Sequence, residues 1–556
     1  MSKDYPVGIL LGVCMCIDCF GQAQAELQRF IDNHVNKVRP LAIQCNLAEW
    51  EAATTGSDQA YARAAELRLQ IRQIYSDANE FAYLKQARNS AQIKDPLLAR
   101  QLELLYNSYL ENQIDPETLK QIVELSTAIE QRFSTYRPIL DGQKVTDNQI
   151  KQILRTETDV QRRWLAWLAS KQVGSQVAQD LIKLVKLRNR AAARLGFPNY
   201  HTMALAVAEQ QVDQLDQLFA QLYEQTRLPY EQLKRELDRT LASRYGIDLD
   251  QLRPWHYHDP FFQEAPDIYG LDLDTYYRGR DLEKLAAQFY EGIGLPVEQI
   301  LKRSDLYEKD RKNPHAFCTN IDRAGDVRIL CNLKDDHYWV DTILHELGHG
   351  VYELYQDPCT PHLLRQPAHI FTTEAVAMFF GRLSSDPLWM QRMLGLSDQQ
   401  VRQISQPCKA QNRLRQLIFA RWAMVMYYFE KQLYANPDQD LNKLWWDLVE
   451  RYQLVHRPEG RNEPDWAAKI HFTIAPCYYH NYLLGELLAC QLYYAIANKI
   501  GAKDLDLVGN KTIGDYLRRH VFELGAKYRW DQMIRMATGQ PLTADYFVQQ
   551  FVAGKD

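Results

Sequence analysis

A chain of 556 residues, 46% of them hydrophobic and 24% charged, can bury a large core. Its net charge of −5, with Lys and Arg scattered rather than clustered, disfavours nucleic acid as a partner. No apolar run reaches about 18 residues, which disfavours a transmembrane span.

The N-terminus reads as a leader. Lys3 precedes an apolar run from Pro6 to Ile17, and Ala23-Gln24-Ala25 resembles a small-residue cleavage site, although Asp4 and Asp18 fit the pattern less well. A signal peptide over residues 1–25 predicts a secreted or periplasmic protein. A cytoplasmic protein with a buried N-terminal segment is the alternative. Cleavage would remove Cys14, Cys16 and Cys19. The other seven cysteines are widely spread and form no disulfide framework, although Cys318 and Cys331 could meet across a hairpin.

From Ala25 to about Leu195 the pattern is helix after helix. The spacing predicts helices over Tyr61 to Arg88 and Pro116 to Tyr136, an N-cap at Thr146-Asp147-Asn148, and a helix opening at Gly174-Ser175. Pro198 breaks the run, Val212 to Tyr245 resumes it, and an aromatic loop follows over Arg253 to Phe262, with Pro254 and Pro260 set against helix. A β-hairpin is expected from His315 to Ile321 and Asp326 to Leu333, around the turn Asp322-Arg323-Ala324-Gly325. It could bind peptide at its edge or simply brace the next helix. Beyond residue 374, helices are expected over Pro387–Leu394, Cys408–Leu433, Leu441–Tyr452, Tyr482–Ile500, Ile513–Thr538 and Ala544–Val552. With no linker, repeat or low-complexity segment, residues 26–556 read as a single all-α domain of two lobes.

The chemistry concentrates in two places. His345-Glu346-Leu347-Gly348-His349 lies in a helical pattern without proline from Trp339 to Asp357, which puts both imidazoles on one helix face. Zinc binding by His345 and His349 follows from that spacing, and Glu346 stands where its carboxylate can act on a water rather than on the metal. With 14 His in the chain, such a motif arises by chance on the order of 0.02 times. Ile370 to Phe380 is apolar nearly all round and encloses Glu374, a carboxylate that needs a positive partner, so Glu374 is the expected third ligand. The second cluster, Lys469 to Tyr482, holds Lys469, His471, Tyr478, Tyr479, His480 and Tyr482. Phenol and imidazole donors there suit an oxyanion. His369 lies close to Glu374 in sequence, and His480 could line a pocket beside Tyr479. His34, His201, His362, His456 and His520 read as structural or surface groups.

These blocks, with the hairpin at His315-Ala316, resemble in order and spacing the angiotensin-converting-enzyme family of zinc peptidyl-dipeptidases and, more distantly, the thimet oligopeptidases. The resemblance covers about residue 30 to the C-terminus. It implies an all-α ellipsoid with a deep central cleft and a small β-hairpin beside the zinc helix. It also implies one Zn2+ per chain on His345, His349 and Glu374, with Glu346 as general base and then acid. His471 and Tyr482 would donate to the substrate carbonyl. His315 and the Ala316 backbone would bind peptide, and Lys469 with Tyr479 would hold the free C-terminal carboxylate, giving release of dipeptides. Four departures are visible. The His349-to-Glu374 spacing is one residue longer than is usual and closer to the thimet group. Met378 replaces an Asp that orients a zinc-bound His. Asn481 replaces a chloride-binding Arg, and Tyr257 stands for a carboxylate-binding Gln. The expectation is a zinc metallopeptidase acting on short peptides. An endo-acting oligopeptidase, a carboxypeptidase or a non-catalytic peptide binder of the same fold are the alternatives.

Overall fold

The structure is a computed structural model that describes residues 8–90, 92–502 and 505–553, with side chains described from 21 onward. The expected leader therefore falls largely outside the described side chains, those of Cys14, Cys16 and Cys19 included. One helix, α1 (Gly8–Thr55), runs through Ala23-Gln24-Ala25 without a break. Among the described residues no helix is long and apolar enough to cross a membrane.

Among the described residues the regular structure is helical except for two short antiparallel ladders, β1 (Ile139–Leu140) with β2 (Gln143–Lys144) and β3 (Phe317–Asn320) with β4 (Val327–Leu330). One contiguous apolar core runs from Ile129 to Phe551, with two small satellite clusters beneath the N-terminal helices. The helices over Val212–Tyr245 and Pro387–Leu394 fall where the pattern places them, and Thr146 caps its helix by accepting from the Gln149 N–H.

Three expected elements differ. The helix expected over Tyr61 to Arg88 is two, Asp58–Tyr75 and Ala78–Asn89, because Asp77 accepts the N–H groups of Asn79 and Glu80 at 2.8 Å and starts a new helix. Gly174-Ser175 opens nothing. It lies inside α2 (Val160–Arg194), where a Cβ on Gly174 would come within 2.5 Å of the Pro464 carbonyl oxygen. That glycine marks a close crossing. The segment Ile513 to Thr538 is interrupted by extended backbone at Tyr528 and Arg529, where the side chains of Arg529 and Trp530 both donate to the Glu209 carbonyl and Lys527 pairs with Asp357. Tertiary contacts there outweigh local helical preference.

The hairpin forms as expected, with Phe317 opposite Leu330 and Asn320 opposite Val327. Asp305 bridges the far side of β4, so β3 carries the outer edge. Cys318 pairs with Ile329 rather than Cys331, and all seven described cysteines are free. Asn320 donates to the Glu353 carboxylate at 2.8 Å, which ties the hairpin to α3 (His337–Leu354).

Candidate active site

Two helices bring the expected metal ligands together. Asp336 caps α3 by accepting from the Trp339 N–H at 2.9 Å, and α4 (Ile370–Gly381) starts at His369, whose ring accepts from the Phe371 N–H. They cross at Gly348, where an added Cβ would lie 2.7 Å from Ala377 Cα. The motif's glycine is thus what lets α4 approach closely enough for its carboxylate to reach the two imidazoles. On the other side α6 (His480–Ile500) packs Gly485 against Glu374, where a Cβ would meet Glu374 Cβ at 3.3 Å.

His345 Nε2 lies 3.6 Å from Glu374 Oε1, and His349 Nε2 lies 3.3 Å from Glu374 Oε2. One donor atom from each residue falls within 4.8 Å of the other two. Two ligands bound tetrahedrally at about 2.0–2.2 Å are roughly 3.3–3.6 Å apart, so the donor set and its spacing fit a zinc ion. His349 Nδ1 contacts Thr373 Oγ1 at 2.8 Å. With Nδ1–H donating to the hydroxyl, Nε2 keeps its lone pair for a metal. The orienting partner that the sequence offered no candidate for is Thr373, next to the carboxylate ligand. Met378 lines the cavity instead.

Glu346 is buried, and burial pushes its carboxyl above the usual range, opposed by His345 and His349. Its charge reaches Cys318 and Cys331 on the hairpin.

The second cluster is built on a clamped loop. A 3-10 turn over Asp465–Ala468 leads to Lys469, one helical turn spans His471–Ile474, and α6 begins at His480. Arg188 on α2 donates to the carbonyls of Phe472 and Thr473 at 3.0 and 2.7 Å. Glu430 on α5 (Asp398–Ala435) accepts the N–H of Cys477, a residue held at φ 57°. These buried groups fix a segment whose backbone would otherwise be costly to hold.

The loop and the first turn of α6 deliver Lys469, His471, Tyr479 and Tyr482 to one cavity of ≈ 660 Å³ whose wall also includes His345. Tyr479 and Tyr482 have ring centroids 5.4 Å apart. The Trp422 indole donates to Tyr479 Oη at 2.7 Å, which leaves the phenol hydrogen free for another acceptor. The Lys469 ammonium lies 5.1–5.4 Å from the ring centroids of Phe261, Trp422 and Tyr479, and burial lowers it to about 8. Burial lowers His471 to about 4, so its ring is neutral near pH 7, and its buried Nδ1 has no protein partner.

Two sequence expectations are corrected. Tyr257 does not stand beside Lys469. Its hydroxyl is buried against Lys234 and Asp238, and the amide in that place is Gln263, whose Oε1 accepts from Lys469 Nζ at 2.7 Å. The aromatic loop hid this residue, and the lone Gln after two phenylalanines was the only signal. His480 faces away from the cavity, buried against Gln210 at 2.7 Å, and Gln210 also donates to Asn481. His369 serves as a helix cap. His315 is exposed at the start of the hairpin and Ala316 is half-buried beside it, and neither forms part of the wall shared by Lys469 and Tyr479.

Comparison with known proteins divides the chain in two. Residues 21–256 match the family model described as Angiotensin-converting enzyme, and residues 297–553 match Peptidase family M3. Among curated relatives, the angiotensin-converting enzyme-like protein Ace3 of Mus musculus is 23% identical over 461 residues, covering 76% of this chain and 62% of that protein. The angiotensin-converting enzyme of Rattus norvegicus is 22% identical over 579 residues, 94% of this chain and 42% of the relative. Thermostable carboxypeptidase 1 of Pyrococcus furiosus is 26% identical over 327 residues, 51% of this chain and 60% of that one. The chain thus spans about half the length of the curated relatives it matches.

Proposed function

We propose that the chain is a zinc metallopeptidase of the angiotensin-converting-enzyme family, with kinship to the M3 peptidases, that releases dipeptides from the C-terminus of short peptides. The observation that carries this reading is the cavity wall shared by His345 and the Lys469–Gln263 pair: it joins a metal-ligand helix to a cationic anchor for a chain end.

His345, His349 and Glu374 would hold a zinc ion, which when bound would polarise the scissile carbonyl and make a water more acidic. Glu346, too far round its helix to be a ligand with the histidines, takes the proton of the attacking water and returns it to the leaving amine. His471 and Tyr482 offer hydrogen-bond donors to the carbonyl oxygen as negative charge develops on it. Lys469, Gln263 and the free Tyr479 hydroxyl bind the substrate carboxylate, which sets how many residues fit between chain end and cut. His315 and the Ala316 backbone bind peptide on the hairpin side, where β3 presents its outer edge. The apolar stretch and Ala23-Gln24-Ala25 support export of the mature protein.

The test is mass spectrometry of products from one decapeptide with a free or an amidated C-terminus. Stepwise loss of two-residue fragments from the free acid, with the amide resistant, supports the reading. Internal cleavage indifferent to amidation overturns it in favour of an oligopeptidase, and loss of single residues in favour of a carboxypeptidase.

A further inference from the structure

Gln263 reaches Lys469 from a segment that is itself neither helix nor strand. Its predecessor, Phe262, is buried with φ 51°, a conformation a bulky side chain adopts only at a cost. What holds it is Asp259. Its carboxylate, 2% exposed, accepts three backbone N–H groups, from Phe261 at 2.8 Å, Gln263 at 3.0 Å and Glu264 at 2.9 Å. From the opposite side Gln453 Nε2 donates to the carbonyls of Phe261 and Phe262 at 3.0 and 2.8 Å. The loop is therefore wrapped around one buried carboxylate and pinned by one buried amide. Its exit points Gln263, Glu264 and Ala265 into the cavity, while the Phe261 ring lies between two ammonium groups, 3.3 Å from Lys171 Nζ and 5.4 Å from Lys469 Nζ.

We propose that Asp259 is a positioning residue for the carboxylate anchor: it shapes the 261–264 loop so that Gln263 Oε1 stands 2.7 Å from Lys469 Nζ, and so sets the preference for peptides with a free C-terminal carboxylate. Asp259 touches neither substrate nor metal ligand. Its effect passes through the 261–264 loop and through its charge on the Lys469 ammonium, and it therefore acts on binding of the chain end rather than on bond cleavage. The proposal rests on the reading of Lys469 and Gln263 as that anchor.

The experiment measures kcat and KM for a free-acid peptide and its amide in four variants of the full chain, with zinc content and melting temperature recorded for each. Lys469→Met tests the anchor itself, and a ratio of acid to amide kcat/KM equal to the parent's refutes the anchor. Gln263→Ala gives the share carried by the amide group. Asp259→Asn, which points an NH2 group at backbone donors, is expected to lower the acid-to-amide ratio about tenfold through KM, with kcat for either peptide near the parent value. A parent-like ratio in Asp259→Asn, alongside a lost ratio in Lys469→Met, overturns the positioning role while leaving the anchor standing. Equal loss of kcat on both peptides also overturns it, because that is the mark of general damage. Should Asp259→Asn fail to fold, Gln453→Met releases the same loop from its other side. A reduced ratio there supports the inference, and an unchanged ratio ends it.

Discussion

Adding one methyl group at the helix crossing tests whether the geometry of the metal site depends on Gly348. In Gly348→Ala the new Cβ would fall 2.7 Å from Ala377 Cα and 3.1 Å from Ala377 N and the Val376 carbonyl oxygen. Carbon atoms normally sit about 3.5–4.0 Å apart, so α3 and α4 must separate by roughly 0.8 Å or more. All the obstructing atoms are backbone, and no rotamer change can relieve them. Ligand distances tolerate about 0.2 Å, so a shift of this size pulls Glu374 out of register with His345 and His349. Overpacking costs about 1–3 kcal/mol, against about 1 kcal/mol gained from replacing a helical Gly by Ala, for a net loss of roughly 0–2 kcal/mol. Zinc affinity should fall about 10- to 100-fold, the range found when a ligand loses its alignment. Competition with a chelator of known affinity, together with melting curves of apo and zinc-loaded protein, measures both. A variant that binds zinc like the parent and melts higher, as an unobstructed Gly-to-Ala change would, refutes the reasoning.

Thr373→Val removes the hydroxyl that orients His349 and should weaken zinc binding about 10- to 100-fold without disturbing the fold, as read by the same chelator competition. Glu346→Gln should keep one zinc and lose about 100-fold or more in kcat, and a variant that cleaves at the parent rate would remove Glu346 from the mechanism. The Lys469 ammonium is lowered to about 8 by burial, so the free protein carries the charge below that pH and loses it above. The kcat/KM for free-acid peptides should therefore fall on the alkaline side with a midpoint near 8, and the limb should be absent with an amidated peptide or in Lys469→Met. Glu430→Ala frees the Cys477 N–H and should lower kcat/KM on every peptide, whereas Glu430→Gln, which still offers an acceptor oxygen, should retain most of it.

What the sequence disclosed and what it hid have separate physical causes. The ligands were legible because a helix converts spacing of four into one face, so His345 and His349 declare themselves, and a carboxylate inside an apolar helix requires a positive partner, which exposed Glu374. Lys469, His471, Tyr479 and Tyr482 were found by their density in a short segment. Gln263 was missed because its position is set by backbone N–H groups turned onto Asp259, an arrangement with no periodicity to read. Thr373 was missed because a hydroxyl beside a ligand looks like any other polar residue on a helix. Gly174 reads as a helix start in sequence because the Pro464 backbone that fills its missing side chain's place lies far away along the chain. His480 was placed beside the pocket by adjacency to Tyr479, although neighbours on a helix point about 100° apart.

Zinc content measured against peptide cleavage, in the parent and in His345→Ala, His349→Ala and Glu374→Ala, tests the site most directly. The expected result is one zinc per chain in the parent, removed by a chelator together with activity and restored with it on adding zinc, and loss of both in each variant. Full cleavage by metal-free parent protein, or a stoichiometric zinc retained when both histidines are replaced, would contradict the account.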